Sequence, residues 1–335
     1  MNSKELERID SEKMYEIYDK WPQMAKESFE SNLEKFNVKN IDHIVFAGMG
    51  GSGTIGDVMS SLLSKDDIHV SVVKGYLLPK TVDSNTLVVL TSISGNTDET
   101  LTVMMNNLKS NAKFVTFSSG GKLQELSQKN HTLHYNISER HSPRASFLTF
   151  LYSIINVLED VLPLKRVDVM ESLQKLAEIK NEINFSNLNQ KNNALELAKW
   201  ISGIPLMYYP LGLHAAAVRF KNSMQENAKT HTIIENVVEA SHNGIVAWEK
   251  STKVQPILLQ GTDDYIKTKE RWKILKEYFN EKDIEYQEVF SKDGSILSKL
   301  VCLIYQLDLT SIYHAGMSGI DPSPVNSIDF IKKRL

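Results

Sequence analysis

The chain has 335 residues, more than one ordinary domain of roughly 100–200 residues needs, so we expect two packed domains. A hydrophobic share of 41% and a charged share of 24% are those of a folded globular protein, and exclude a disordered, collagen-like or disulfide-built chain. Because the net charge is −3, nucleic acid and anionic membranes are not expected partners, and any anion site must be local. The single cysteine, Cys302, lies in an apolar stretch and is expected to be a buried thiol.

The N-terminal segment predicts helices rather than a targeting signal. Residues 4–36 follow a helical pattern with a break before Pro22, and residues 1–13 are polar and charged, without the apolar core of a signal peptide. The best uncharged apolar run, residues 145–158, is too short to span a bilayer. We therefore expect a cytoplasmic protein without a membrane partner.

Short apolar runs then alternate with helical stretches. The pattern predicts strands at residues 44–47, 69–73, 86–90, 114–117 and 132–137, and helices at 55–63, 97–108 and 145–161. Apolar strands in alternation with helices are typical of a parallel sheet flanked by helices. Pro163 breaks the pattern, so we place a boundary there between a domain of residues 1–162 and a domain of residues 163–335.

The second half of the chain repeats this scheme. Helices are predicted at residues 167–183, 194–201, 215–227, 265–279 and 297–313, and strands at 205–209, 256–260 and 284–290. Both halves are therefore predicted to be α/β sandwiches, each a parallel sheet flanked by helices.

A glycine-rich turn, Gly48-Met49-Gly50-Gly51-Ser52-Gly53, follows the first predicted strand and opens a helix. Unpaired backbone N–H groups and the positive helix end form an anion site there, for which phosphate is the obvious ligand. The same glycines satisfy G-x-G-x-x-G of dinucleotide-binding folds, which expects an acidic residue about 20 positions further on. That neighbourhood is Val72-Val73-Lys74-Gly75, and its lysine would tolerate a 2′-phosphate. A phosphate loop, an NADP site and a purely structural turn all remain open on this motif alone.

A second turn, Ser92-Ile93-Ser94-Gly95-Asn96-Thr97, places several hydroxyls around one glycine at another strand-to-helix junction. Hydroxyls donate to phosphate oxygens without bringing charge, and the start of a helix adds its dipole, so a phosphoryl group can be held here without a metal. The alternative is a serine N-cap with Glu99 completing a capping box, which explains one or two of the hydroxyls. Two strand ends could thus converge on one phosphate.

The two turns together resemble the sugar isomerase (SIS) domain, and further motifs narrow the resemblance to the archaeal-type bifunctional phosphoglucose/phosphomannose isomerases. These motifs are Ser119-Gly120-Gly121-Lys122-Leu123, Pro143-Arg144-Ala145-Ser146, Arg219-Phe220-Lys221, Gln225-Glu226-Asn227-Ala228-Lys229, Ser241-His242-Asn243 and Gly319-Ile320-Asp321-Pro322. The resemblance implies two SIS domains and a homodimer whose active site is shared between domains and subunits. We expect no cofactor.

The resemblance also assigns roles to individual residues. Phosphate contacts fall on Gly51, Ser52, Ser92, Ser94 and Thr97. Arg144 would hold the developing enediolate, and Glu226 would move the proton between C1 and C2. His242, reaching in from the partner subunit, would open the sugar ring. Lys332 matches a lysine near the ring oxygen, although Lys333 is adjacent.

Aldose–ketose isomerisation needs a base, a group that stabilises the enediolate, and an acid/base for ring opening, and the chain offers one candidate for each. Without the resemblance, each of these residues also has an ordinary structural explanation. Glu226 can be an exposed helix glutamate paired with Lys229. Arg144 can be a solvated or capping side chain, and His242 a loop histidine. Gly244 lies at a position where members of the family that the chain resembles often carry an acidic residue.

The expected function is isomerisation of glucose 6-phosphate, and of mannose 6-phosphate, to fructose 6-phosphate through a cis-enediol. His131 and His134 have the spacing of a metal pair, but nearby Cys or carboxylate ligands do not complete a zinc site, so no metal is expected. A non-catalytic sugar-phosphate sensor with the same fold and an NADP-dependent oxidoreductase are the alternatives.

Overall fold

The computed structural model of the protein describes residues 3–188 and 192–334, which form two compact units. The first unit comprises residues 20–166 and 329–334. The second unit comprises residues 3–19 and 167–328. The predicted domains, 1–162 and 163–335, differ from these units at both chain ends.

The elements that the apolar pattern predicts occur in the predicted order, with further short elements between them. The helices are Ser3–Ile9 (α1), Met14–Asp19 (α2), Trp21–Phe29 (α3), Gly50–Leu62 (α4), Asp98–Asn107 (α5), Gly121–Lys129 (α6), Phe147–Val157 (α7), Arg166–Ile183 (α8), Asn193–Trp200 (α9), His214–Asn227 (α10), Val237–Ala240 (α11), Ile266–Glu281 (α12), Ile296–Met317 (α13) and Asn326–Lys332 (α14). The strands are His43–Ala47 (β1), His69–Val73 (β2), Thr86–Thr91 (β3), Lys113–Ser118 (β4), Leu133–Asn136 (β5), Ile204–Tyr209 (β6), Ile233–Asn236 (β7), Val254–Gln260 (β8) and Gln287–Phe290 (β9). Leu211–Leu213 and Gly244–Glu249 form 3-10 helices.

Each predicted strand is confirmed, with shifts at the ends. The apolar pattern does not predict α6, β7, α11 or α14, because these short elements contain no long apolar run. In α6, for example, only Leu123 and Ser127 are buried. The helical stretch expected over residues 4–36 consists of α1, α2 and α3, and the predicted break before Pro22 is confirmed between α2 and α3. Pro22 lies in the first turn of α3, where its missing N–H is not needed.

The N-terminal helices belong to the second unit because their apolar side chains are buried there. Leu6 and Tyr18 are buried, and α1 and α2 contact α13. The Tyr15 ring meets the Phe185 ring edge-on, with centroids 5.3 Å apart. Since these partners lie far along the chain, local periodicity did not indicate them.

The first unit contains a five-stranded parallel sheet in the order β2-β1-β3-β4-β5. Every residue of β1 and β3 is buried, as expected for apolar strands covered by helices. Val45, Val88 and Leu90 share a core cluster with Leu101 and Leu123 from the flanking helices, and each such side chain contributes about 1.5–3 kcal/mol by its burial. Because the strands are parallel, the turns that follow β1, β3, β4 and β5 lie at one edge of the sheet.

The second unit contains a four-stranded parallel sheet in the order β7-β6-β8-β9. An aromatic cluster that includes Tyr208, Trp248, Trp272 and Phe279 packs against it. Trp248 Nε1 donates a hydrogen bond of 2.8 Å to the Tyr208 hydroxyl. This bond fixes the 3-10 helix Gly244–Glu249 against β6.

The helix α13 is the core helix of the second unit and contacts α9 and α10. By length and composition it could cross a membrane, but 89% of its most apolar window is buried inside the protein. Cys302 in this helix is 1% exposed, and burial raises the pKa of its thiol to about 12. The buried thiol that the sequence predicts is therefore confirmed.

Candidate functional site

The turn after β1 brings backbone N–H groups to the carboxyl edge of the first sheet. The helix α4 begins at Gly50, whose φ is +53°, and Met49 before it makes no side-chain capping hydrogen bond. A Cβ at Gly48 would lie 2.7 Å from a carbonyl oxygen at the end of β3, so this close approach requires glycine. Gly51 is half-buried and Ser52 is buried. An uncapped helix N-terminus of this kind suits an anion.

The turn after β3 is held together by its own hydroxyls. Ser92 Oγ lies 2.8 Å from Thr97 Oγ1 and accepts a hydrogen bond of 3.3 Å from the Thr97 N–H. Gly95 has a φ of +70°, and a Cβ there would overlap the carbonyl oxygen of Gly120, so the turn packs on its neighbour only with glycine. The helix α5 begins at Asp98, and its N-cap is Thr97, which makes no side-chain capping bond. The serine N-cap alternative is therefore wrong.

A hydrogen bond joins the two turns. Ser52 Oγ accepts from the Ile93 N–H at 3.3 Å. The structure therefore brings the predicted phosphate-binding residues onto adjacent turns at one edge of the sheet, namely Gly51, Ser52, Ser92, Ser94 and Thr97. Ser92 is fully buried, whereas Ser94 and Thr97 are half-buried and face the edge more openly. Two helix N-termini and these hydroxyls can bind an anion, and phosphate binding stays a prediction.

Lys74, on which the NADP alternative depends, is paired with a buried carboxylate. Its Nζ lies 2.5 Å from Asp57 Oδ2, and Asp57 is 6% exposed on α4. The lysine stem also packs on the glycine turn, since a Cβ at Gly53 would lie 3.1 Å from Lys74 Cε. Because Asp57 neutralises this lysine, its suitability for a 2′-phosphate is reduced.

The loop after β5 carries Arg144, which is 6% exposed. Ser146 Oγ accepts a hydrogen bond of 2.7 Å from the Arg140 N–H and so closes the loop. His141 adopts a φ of +61°, a conformation that is uncommon for residues other than glycine. Strained backbone and a buried cation are features that collect at functional sites. Because Arg144 is 6% exposed, it is a buried rather than a solvated side chain.

Glu139 lies in the same loop and was not predicted as a site residue. Burial raises the pKa of its carboxyl, while the charge of Lys332 and a hydrogen bond with Ser119 oppose that shift. Lys332 is exposed near the end of α14, with Lys333 exposed beside it. The lysine that acts on Glu139 is Lys332. The available sequence signal was the position of Glu139 in the polar segment just before Arg144.

In the second unit, Glu226 lies half-buried near the end of α10, beside a buried ion pair. Arg219 Nη2 lies 2.6 Å from Asp308 Oδ2, with Arg219 2% and Asp308 0% exposed. Ser223 Oγ donates to the same carboxylate at 2.5 Å. Burial lowers the pKa of Arg219, but neighbouring acids, Asp308 first, raise it overall. Glu226 is among those acids, so its carboxylate lies within electrostatic reach of the pair.

Lys229 holds the end of α10 through backbone oxygens. Its Nζ donates to the carbonyl of Glu226 at 2.8 Å and to that of Asp321 at 3.0 Å. Glu226 itself is half-buried, in contrast to the exposed helix glutamate considered from the sequence.

His242 is exposed on the turn after α11. Asn236 caps α11 by accepting from the Val238 N–H at 2.9 Å and the Glu239 N–H at 3.3 Å. The backbone carbonyl of Glu239 accepts from the His242 N–H at 2.9 Å, and its carboxylate accepts from Asn243 Nδ2 at 3.0 Å. The backbone of the turn is therefore well fixed, while the imidazole is accessible for proton transfer.

The predicted site residues are distributed over both units. Arg144, Lys332 and the five predicted phosphate contacts belong to the first unit, and Glu226 and His242 belong to the second. Within residues 3–188 and 192–334 no group of three or more His, Cys, Asp or Glu side chains could hold a metal ion. His134, considered above for a metal pair, instead has Nδ1 2.8 Å from Thr116 Oγ1.

Comparison with protein families matches residues 190–335 to the family described as the bacterial phospho-glucose isomerase C-terminal SIS domain. A bifunctional phosphoglucose/phosphomannose isomerase of Aquifex aeolicus is 33% identical over 302 residues, which cover 87% of this chain and 90% of that protein. A protein of the same name from Caldicellulosiruptor bescii is 29% identical over 335 residues, which cover 96% of this chain and 98% of that protein.

Among solved structures, the C-terminal domain of glucosamine-fructose-6-phosphate aminotransferase from Francisella tularensis superposes with a TM-score of 0.70. The match covers 92% of this chain and 96% of that one at 15% sequence identity. At that identity the similarity supports the fold alone.

Proposed function

This chain belongs to the bifunctional phosphoglucose/phosphomannose isomerase family, and we propose that it interconverts glucose 6-phosphate and mannose 6-phosphate with fructose 6-phosphate. The structural observation that carries the proposal is the pair of uncapped helix N-termini joined by the hydrogen bond between Ser52 and Ile93. Each of these substrates bears a phosphate at C6, so one anion site serves them all.

The phosphate is proposed to contact Gly51, Ser52, Ser92, Ser94 and Thr97. Backbone N–H groups at the start of α4 and α5 supply partial positive charge, and the hydroxyls supply donors. Ser92 and Thr97 hold one another in place at 2.8 Å, so little side-chain freedom would be lost when an anion arrives.

The reaction moves one proton between neighbouring carbons. A base takes the proton from C2 of the open-chain aldose while the C1 carbonyl oxygen becomes the enediolate oxygen. The hydroxyl proton then moves from O2 to O1, and the return of the first proton to C1 leaves a carbonyl at C2 and gives the ketose. Since C2 loses its configuration in the cis-enediol, glucose and mannose 6-phosphates pass through the same intermediate. All atoms and electrons of the substrate are kept, so this route requires no external oxidant or reductant.

We assign the base to Glu226, which is half-buried and therefore partly desolvated. Arg144, a residue that is 6% exposed, is proposed to stabilise the enediolate oxygen. His242 is proposed to open the sugar ring by proton transfer, and Lys332 to act near the ring oxygen.

The proposal includes a cytoplasmic homodimer whose active site is shared between subunits, with His242 serving the partner. This sharing is testable by mixing two inactive variants, Arg144→Ala and His242→Gln. If the two residues of one site come from different subunits, about a quarter of wild-type activity returns in an equal mixture, because half of the dimers are hybrids with one intact site. If activity does not return although hybrid dimers form, the shared site is refuted.

The proposed activity is tested by a coupled assay on the purified protein with glucose 6-phosphate and mannose 6-phosphate in parallel, run in D2O. Turnover of both with deuterium appearing in the fructose 6-phosphate supports a cis-enediol. Binding without turnover would indicate the sensor. Saturable micromolar NADP binding would indicate the oxidoreductase, and either outcome would overturn the proposal.

A further inference from the structure

Glu235 is a carboxylate at the carboxyl end of the second sheet that the proposed roles leave unused. It lies in β7, in register with Tyr208 of β6. Its Oε2 atom is buried and has no hydrogen-bond partner among the residues that the structure describes. Burial raises the pKa of this carboxyl. A buried acceptor without a donor is unfavourable for folding, so its presence calls for a functional reason.

The Glu235 carboxylate lies directly against Gly244, in the turn that carries His242. A Cβ on Gly244 would collide with Glu235 Oε2, with the other carboxylate oxygen 3.3 Å away. The φ of Gly244 lies outside the left-handed region, so its backbone does not itself require glycine. A side chain at this position would instead have to displace the Glu235 carboxylate, which is the flexible end of its side chain.

The nearby Tyr208 hydroxyl already takes part in a hydrogen bond with another side chain. The Tyr208 hydroxyl accepts from Trp248 Nε1 at 2.8 Å. Burial, and then the charge of Glu235, raise the pKa of both Tyr208 and Tyr209. The same turn carries Glu239, whose carboxylate accepts from Asn243, and the exposed His242.

We propose that Glu235 is a positioning residue of the active site, whose carboxylate holds the turn that carries His242 in place through its close approach to Gly244. The inference rests on the proposed function, because His242 is the group that is positioned. The proposal explains why an acidic side chain occupies a position where burial disfavours its charge. With a neutral side chain of the same shape the protein would fold at least as well, but that side chain would not act electrostatically on the turn.

The first test is Glu235→Gln, which keeps the shape and removes the charge. We expect kcat to fall about 10- to 100-fold with KM within twofold, while the melting temperature stays equal to or above that of the wild type. A side chain that served packing alone would leave kcat unchanged or lower stability together with activity, and either result would overturn the proposal. Glu249→Gln, at the exposed end of the 3-10 helix Gly244–Glu249, is the matched control.

A second test uses the close approach itself. Gly244→Ala should lower kcat like Glu235→Gln, because the new methyl group displaces the carboxylate. The double variant Gly244→Ala with Glu235→Asp shortens the acid by one methylene and should recover most of the lost kcat. A double variant no better than Gly244→Ala would contradict the inference.

His242→Gln separates this inference from the proposed function. If His242→Gln is inactive but Glu235→Gln behaves as wild type, only the positioning role fails. Full turnover by His242→Gln would instead remove the ring-opening role of His242, and with it the premise of the inference.

Discussion

The proposed functional residues of the two units differ in kind. At the edge of the first sheet, glycines, hydroxyls and the N-termini of α4 and α5 surround the proposed phosphate site. In the second unit, Glu235 lies near the carboxyl end of β7 and His242 on the turn after α11, whereas Glu226 lies near the end of α10, which precedes the start of β7. In the proposed mechanism, backbone N–H groups of the first unit bind the anion, whereas side chains of the second unit move the protons.

The two regions are also stabilised differently. The first edge depends on close backbone approaches, such as Gly95 against Gly120. The helix that carries Glu226 depends on a buried ion pair between Arg219 and Asp308. Variants in the first region should therefore change substrate affinity, and variants in the second should change turnover or folding.

The largest expected effect is that of Glu226→Gln. Removing the base should lower kcat by about 10²–10⁴-fold with KM within a few-fold and the fold intact by circular dichroism. The coupled isomerase assay measures it. Glu281→Gln, an exposed glutamate at the end of α12, is the matched control and should retain full activity. Full turnover by Glu226→Gln would remove Glu226 from the mechanism and break the contrast between the two units.

Asp308→Asn should have the next largest effect, on stability. It leaves the Arg219 guanidinium buried beside a neutral amide, which should lower the free energy of unfolding by about 3–5 kcal/mol. Urea denaturation measures the loss. Glu277→Gln breaks an exposed pair with Lys273 at 3.9 Å and should change stability by less than about 0.5 kcal/mol. Similar losses for both variants would contradict a special role for the buried pair.

Thr97→Val should change affinity rather than turnover. It removes the hydroxyl bonded to Ser92, and we expect KM for the sugar phosphate to rise about five- to tenfold, equivalent to roughly 1 kcal/mol, with kcat within twofold. Thr100→Val on the same helix is the control, because that hydroxyl has no partner among the described residues. A fall in kcat with unchanged KM would show that this edge takes part in the chemistry.

The smallest effect is expected from Glu139→Gln, as a pH-dependent difference in stability. Burial raises the pKa of Glu139 above its ordinary value of 4.5, so the folded state binds more protons than the unfolded state in the window just above that value. Wild-type stability therefore falls relative to Glu139→Gln as pH rises through the window. The free energy of unfolding of both proteins is measured at about pH 4 and pH 7, and Glu139→Gln should be more stable relative to the wild type at pH 7 than at pH 4. Glu125→Gln, on the surface of α6, is the control. The opposite sign would refute the burial argument.

Much of the fold was predictable because its signals are local. The strands β1, β3 and β8 are apolar runs, and the turns after β1 and β3 carry glycine and hydroxyl motifs at their ends. The edge strand β7 was missed because Ile233-Ile234-Glu235-Asn236 is too short and too polar to stand out. The partner of the N-terminal helices was missed because it lies near the other end of the chain.

The sequence by itself determined the α/β class, the glycine turns and, through the resemblance of its motifs, the family. These depend on short-range spacing, such as the glycines that a tight turn before a helix requires. Only the tertiary structure decided that Lys74 is neutralised by Asp57, that Arg144 is buried, that Glu139 responds to Lys332, and that Glu235 lies under Gly244. Burial and electrostatic environment arise from residues distant in sequence, so the state of a charged side chain is a property of the packed fold rather than of its neighbours along the chain.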